Sequence, residues 1–110
     1  MTVDDIITQL GLECLTKGNS QNVTMGYTSD LLSDVIANAE EGALWITVQR
    51  HLNIVAVAQL KKIAGIILTR SAEAEPGVLA KAGEEGIYVL RTPAKSYEIS
   101  GRLYALLKPE

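Results

Sequence analysis

The stretch Ala43–Thr69 reads ALWITV, QRHLN, IVAVAQLKK and IAGIILT in succession, and its reading decides the fold. Leu44–Val48 is apolar at every position but Thr47. That is the pattern of a strand covered on both faces, as the strands of a parallel sheet are. Gln49–Asn53 is a polar elbow. Ile54–Ala58 is an unbroken apolar run, which by pattern alone fits a strand as well as a helix. The residues between Val48 and Gly65 are about what a crossover between parallel strands requires. Ala56, Ala58 and the following Gln59-Leu60-Lys61-Lys62 also favour helix. Gly65–Leu68 is then a second interior strand. The helix between them is apolar nearly all round, so it is either deeply buried or at a subunit contact.

Downstream, Thr69–Glu75 reads as a loop and Pro76 as the first residue of a helix, with Val78, Leu79 and Ala82 inward. Gly86 stops that helix and Ile87–Leu90 is a further strand. Arg91-Thr92-Pro93 turns the chain into a last helix over Lys95–Leu107, with Ile99, Leu103, Leu106 and Leu107 on one side. Gly101 in that helix, flanked by Tyr97 and Tyr104, predicts a close backbone approach. Upstream, Leu31–Glu41 reads as a helix that buries Leu31, Leu32, Val35, Ile36 and Ala39, capped from Thr28-Ser29-Asp30 and stopped at Gly42. Thr2 and Asp5 predict a capping box for a first helix carrying Val3, Ile6, Ile7 and Leu10 and ending at Gly11. Leu12–Thr16 and Asn22–Tyr27 read as strands, and Gly18-Asn19 between them signals the turn of a hairpin. The alternation of strands and helices predicts an α/β fold. It is a three-layer arrangement with a mainly parallel sheet of about five strands and helices on both faces, residues 1–110 forming one domain.

With 47% apolar and 21% charged residues, disorder is ruled out. A net charge of −3 leaves no basic footprint, so nucleic acid is not expected as a partner. No apolar run approaches the ~20 residues that span a bilayer, and MTVDDIITQL carries acids where a signal peptide carries bases. A cytoplasmic protein with no membrane partner is expected. Cys14 is the only cysteine and His51 the only histidine, which excludes an internal disulfide and makes a structural zinc site implausible. Cys14 and Trp45 lie in strands and read as core. No Walker-type loop, no Gly-x-Gly-x-x-Gly and no Gly-x-Ser-x-Gly elbow is present, and no cofactor is identified.

Ligands of open α/β sheets bind beyond the carboxyl ends of the parallel strands. That rule selects the elbows Thr47–Asn53, Thr69–Ser71 and Arg91–Pro93. Gln49, Arg50, His51 and Asn53 lead into a helix N-terminus, whose free N–H groups attract anions. Arg50 offers a planar fork to a phosphate or carboxylate. Arg70 and Arg91 come from the neighbouring elbows, and Ser29 with Asp30 reaches the same rim. A plainer reading stands beside this one. Asn53 caps its helix, Arg50 and Arg91 are solvated, His51 bonds a backbone carbonyl, and Ser29 and Asp30 serve as caps.

At this elbow the sequence resembles a known family. The runs Gly26-Tyr27-Thr28-Ser29-Asp30-Leu31-Leu32-Ser33-Asp34-Val35, Glu41-Gly42-Ala43-Leu44-Trp45-Ile46-Thr47 and Gln49-Arg50-His51-Leu52-Asn53-Ile54-Val55-Ala56-Val57-Ala58 are similar to the small stand-alone DRTGG-domain proteins. Ala64–Leu68, Gly86-Ile87 and Gly101-Arg102-Leu103-Tyr104 match as well. The resemblance implies a fold like the N-terminal domain of HPr kinase/phosphorylase and, more distantly, the uridine-nucleotide-binding N-domains of Mur ligases. It implies a domain often attached to kinases, acetyltransferases or CBS modules, with no catalysis of its own. The family is named for Asp-Arg-Thr-Gly-Gly, and here Gln49-Arg50-His51-Leu52-Asn53 stands in its place, with Arg50 alone in agreement.

Three functions follow as expectations. The first is a non-catalytic regulatory domain that binds a small anionic ligand, such as a nucleotide, at Gln49–Asn53 and acts on a partner protein. The second is an interaction subunit without a small ligand, using the apolar helix Leu52–Lys62 and the tyrosine-flanked last helix as contact surfaces. A homodimer is compatible with both. The third, a hydrolase or transferase with His51 as general base, lacks a nucleophile motif to go with it.

Overall fold

The computed structural model of the chain describes residues 1–108. Its centre is one five-stranded sheet: β1 Glu13–Thr16, β2 Gly26–Thr28, β3 Leu44–Thr47, β4 Gly65–Leu68 and β5 Tyr88–Arg91, in the spatial order β1-β5-β4-β3-β2. The four strands β2 to β5 are parallel, and β1 runs antiparallel to β5 along one edge. The helices are α1 Val3–Leu10, α2 Leu32–Asn38, α3 Asn53–Leu60, α4 Val78–Glu84 and α5 Ser96–Leu107.

Side chains of a strand alternate between its faces, and here both faces are apolar. Trp45, Ile66, Leu68 and Val89 meet Val35 of α2, Ile54, Val55 and Ala58 of α3, and Val78 and Ala82 of α4. Leu44, Ile46, Ile67, Tyr88 and Leu90 meet Val3, Ile6 and Leu10 of α1 and Ile99 and Leu103 of α5. Three layers result, as expected, and the fold agrees with the arrangement implied by the HPr kinase N-domain. Each large apolar side chain taken from water adds roughly 1.5–3 kcal/mol, so the doubly covered strands carry most of the stabilisation. Trp45 is fully buried, and its indole N–H donates to the Ser29 carbonyl at 2.8 Å. A buried indole needs such a partner. At α1 the expected capping box is present, with Asp5 N–H donating to Thr2 Oγ1 and Thr2 N–H to Asp5 Oδ2.

The expected hairpin does not form. β1 and β2 lie at opposite edges of the sheet, one against β5 and the other against β3. Gly18 and Asn19 mark a crossing instead. Asn19 N–H donates to the Gly86 carbonyl at 2.8 Å, and a Cβ on Gly18 would stand 2.5 Å from the backbone nitrogen of Tyr88. The glycine serves close approach to the start of β5, not turn geometry. The chain then passes the amino ends of the strands, with Val3 N–H on Gln21 O, Val23 N–H on Met1 O and Thr24 N–H on Gly42 O. Only Gly26–Thr28 of the expected strand Asn22–Tyr27 joins the sheet. β2 is short, but its hold on β3 extends past its end. Ser29 N–H donates to Ile46 O, and Asp30 Oδ1 accepts from Thr47 Oγ1 at 2.8 Å and from Val48 N–H at 2.9 Å.

Other expectations are corrected at helix ends. α2 is shorter than Leu31–Glu41, and Leu31 and Ile36 face solvent. Pro76 precedes α4, whose entry is Gly77 in the left-handed region at φ 90°, and Leu79 is exposed. Cys14 is exposed on the edge strand, not in the core. Gly101 has no close neighbour: a Cβ there would meet nothing within 4 Å. α3 buries Ile54, Val55, Val57 and Ala58 while Ala56 and Leu60 face outward, so it is a covering helix with an apolar outer patch. Among the described residues no helix is long and apolar enough to cross a membrane.

Two substitutions test this packing. Gly18→Ala puts a methyl group against backbone that has little room to give, and is expected to lower unfolding free energy by about 1–3 kcal/mol in urea titration. Asp30→Ala takes the acceptor from the hydroxyl proton of the fully buried Thr47 and from Val48 N–H, with an expected loss of about 1–3 kcal/mol. A denaturation midpoint equal to wild type in either variant contradicts the corresponding contact.

Candidate functional site

Each interior strand leaves the sheet through a buried threonine. Thr47 ends β3, and Thr69 and Thr92 follow directly on β4 and β5. A buried hydroxyl needs a hydrogen-bond partner, and these partners shape the rim at the carboxyl ends. Thr47 Oγ1 donates to Asp30 and accepts from Gln49 N–H at 3.1 Å. Thr69 Oγ1 and Ser96 Oγ are 3.2 Å apart, and Thr92 Oγ1 accepts from Ala94 N–H at 3.2 Å. The row continues along α5, where Ser100 Oγ donates to the Ser96 carbonyl and lies 2.6 Å from Thr28 Oγ1. Thr47, Thr69 and Thr92 fall within the expected elbows and Thr28 among the expected caps, but Ser96, Ser100 and the continuous row of hydroxyls were not expected. A threonine closing each strand, and Ser96 and Ser100 one helical turn apart, were the available signals.

The residues expected at the rim divide into those fixed within the fold and those left to solvent. Asp30 and Gln49 belong to the first group. The Asp30 carboxylate braces the exit of β3, and Gln49 Nε2 donates to the Asp30 carbonyl at 2.8 Å. Ser29 Oγ accepts from Leu31 N–H at 3.2 Å. Arg91 forks onto Glu13, its partner in the antiparallel register, with Nε and Nη2 each 3.0 Å from a carboxylate oxygen. That carboxylate raises the Arg91 pKa further above its ordinary value. Arg50 donates from Nη1 to the Glu73 carbonyl at 3.0 Å while its own carbonyl accepts from Glu75 N–H, so elbow and loop hold each other.

Asn53, expected as the cap of α3, is its first residue; Leu52 is at the cap position and His51 before it takes the first N–H. His51 Nδ1 accepts from Asn53 N–H at 3.1 Å, which places the proton of a neutral ring on Nε2. Ile54 and Val55 N–H donate to the His51 and Leu52 carbonyls. The first N–H groups of α3 are therefore engaged, and an anion there would displace the imidazole. The Asn53 side chain and the Nε2 edge of His51 remain exposed. Other atoms of the two residues border a shallow, almost wholly apolar cavity of ≈ 340 Å³ with Val55, Gln59 and Lys81.

Arg70 stands apart. It and Ser71 are successive non-glycine residues in the left-handed region, at φ 56° and 53°. Such conformations cost roughly 1 kcal/mol or more each and persist where the surroundings fix them. Here Arg70 N–H donates to Ala94 O and Ser71 N–H to Thr92 O, both at 2.9 Å. The exposed Arg70 side chain makes no hydrogen bond or ion pair among the described residues. Thus, of the three arginines, Arg50 and Arg91 are tied to Glu73 and Glu13, and Arg70 is presented on strained backbone beyond the central strand β4.

A further concavity lies away from Gln49–Asn53. It is a groove of ≈ 1100 Å³ between β2 and α5, lined by Gly26, Thr28, Tyr97, Ser100, Gly101 and Tyr104 among others. Among the described residues no group of three or more His, Cys, Asp and Glu side chains is placed to hold a metal ion.

No curated protein matches the chain. Its fold is similar to a crystal structure of the CBS and DRTGG domains of the regulatory region of Clostridium perfringens pyrophosphatase, complexed with the activator diadenosine tetraphosphate. The TM-score is 0.70 at 19% identity, over 93% of this chain and 45% of that one, so the chain spans less than half of that structure. The DRTGG domain model matches residues 5–106. The match spans nearly the whole chain, and this chain belongs to the DRTGG-domain family.

Proposed function

We propose that this chain is a non-catalytic regulatory domain of the cytoplasm that binds a small anionic ligand at the elbow rim, with nucleotides as the first class to test. The observation that carries the reading is Arg70, an exposed guanidinium held on two successive left-handed residues at the carboxyl end of the central strand. Strain of that kind collects at binding sites, and the carboxyl ends of parallel strands are where ligands of open α/β sheets sit. In this reading Arg70 pairs the anion. The N–H groups of Arg50 not used by Glu73, the Nε2–H of His51 and the Asn53 amide add donors. Gln49, Ser29 and Asp30 keep the rim in shape, and Arg91 anchors β1. The activator bound by the pyrophosphatase regulatory region is a dinucleotide, which supports including dinucleoside polyphosphates among the ligands tested.

The site's chemistry speaks for binding over catalysis. His51 spends Nδ1 on a backbone N–H, and no serine or cysteine hydrogen-bonds to its ring among the described residues. Partial desolvation against the sheet edge, then the charge of Asp4, pushes the thiol of the otherwise exposed Cys14 up, which disfavours the thiolate a nucleophile requires.

A thermal-shift panel of nucleotides, dinucleoside polyphosphates and phosphorylated metabolites tests the binding. A true ligand stabilises by about 2.7 kcal/mol at roughly 100 times its Kd. Arg70→Ala, which removes no contact of the fold, is expected to weaken that ligand by about tenfold or more through loss of a charge-assisted bond. The reading fails if no compound shifts the wild type, or if Arg70→Ala retains the full shift. For Cys14, the rate of iodoacetamide labelling is expected to rise through a midpoint above that of a free cysteine thiol. A midpoint below neutrality reopens nucleophilic chemistry.

A further inference from the structure

We propose that the outer face of α5, with the adjoining edge of β2, is a two-fold contact between copies of this chain. Tyr97, Gly101, Tyr104 and Lys108 follow one another at four- and three-residue steps and so form one stripe along the helix. Tyr97 is 91% exposed and Tyr104 71%. Between them Gly101 leaves bare backbone, although nothing in the fold requires a glycine there: a Cβ would meet no atom within 4 Å. Glycine is a poor helix former, so the position sacrifices helix stability without a return inside one copy. Gly26 on β2 offers the contrast, since a Cβ there would stand 2.7 Å from Leu103 Cδ2. The separation of two packed helices is set by the side chains where they cross. A notch between two projecting rings lets a second helix approach closely and lodge its own ring beside it.

The groove of ≈ 1100 Å³ between β2 and α5 adjoins this stripe, and β2 is an edge strand with one neighbour, β3. Exposed strand edges are ordinarily covered or blunted. A copy turned about an axis near Gly101 places a tyrosine ring over the groove and covers that edge in the same contact.

Charge selects a second copy over an unrelated protein. Glu98 and Arg102, opposite signs one helical turn apart, flank the stripe; Glu98 Oε1 accepts from Lys95 N–H in the cap of α5 and Arg102 donates an N–H to the Leu10 carbonyl at 3.1 Å, so both are held in place within one copy. When two antiparallel α5 helices cross near Ser100 and Gly101, each copy's Glu98 meets the other's Arg102. Self-complementarity of this kind is what a two-fold interface demands. The contact uses none of the elbow residues, so it goes beyond the ligand-binding reading and does not depend on it.

Sedimentation velocity of the full chain over a concentration series is the test. The wild type is expected to form a dimer, and Gly101→Glu or the pair Tyr97→Ser with Tyr104→Ser to weaken association by about tenfold or more. Glu98→Arg is expected to weaken it too, and Glu98→Arg combined with Arg102→Glu to restore it. Gly101→Ala separates interface from fold, because thermal stability of the dilute protein should hold or rise while association falls. A wild type that stays monomeric at every concentration overturns the proposal. So does a dimer indifferent to these substitutions. A monomer whose α5 amide resonances move with a nucleotide assigns the groove to a small ligand, and overturns it as well.

Discussion

The rest of the structure depends on the covering of β3 and β4 from both sides along their whole length. Leu44, Trp45, Ile66, Ile67 and Leu68 are inaccessible to water. A strand so covered cannot place a working polar group along its length without the cost of burying it. Polar chemistry is confined to where the strands stop. Thr47, Thr69 and Thr92 mark those stops, and each is buried with a hydrogen-bond partner at the rim. The same constraint that makes the core therefore fixes where a polar rim can lie.

The rim divides its polar residues between building and presenting. Asp30, Gln49, Ser29 and Arg91 bond to neighbouring elements and give the loops their shape. Arg70, the Nε2 edge of His51 and the Asn53 amide are left outward. A charged group already paired in the fold gives up that pairing to bind a ligand, whereas an exposed guanidinium on a fixed backbone does not.

α5 takes part in both halves of the molecule. Its inner side carries Ile99 and Leu103 into the core below the sheet. Its Ser96 and Ser100 extend the row of hydroxyls from Thr69 to Thr28. Its outer side exposes two tyrosines about a bare glycine. One helix thus joins the carboxyl rim to an outward aromatic face.

By itself the sequence determined what depends on near neighbours in the chain. The apolar runs at Leu44–Val48 and Gly65–Leu68, the crossover between them, the capping box at Thr2 and the glycine stops at Gly11 and Gly86 are local signals, and the three-layer plan followed from them. Tertiary structure alone decided the edges and the partners. β1 and β2 are short and partly polar, so no local pattern told that they would part to opposite edges, and Gly18-Asn19 carried the same letters whether turning or crossing. Arg50 and Arg91 found their partners 23 and 78 residues away. Hydrophobic period is set residue by residue along the chain, but the partner of a charged side chain is set by which distant loop the fold brings beside it.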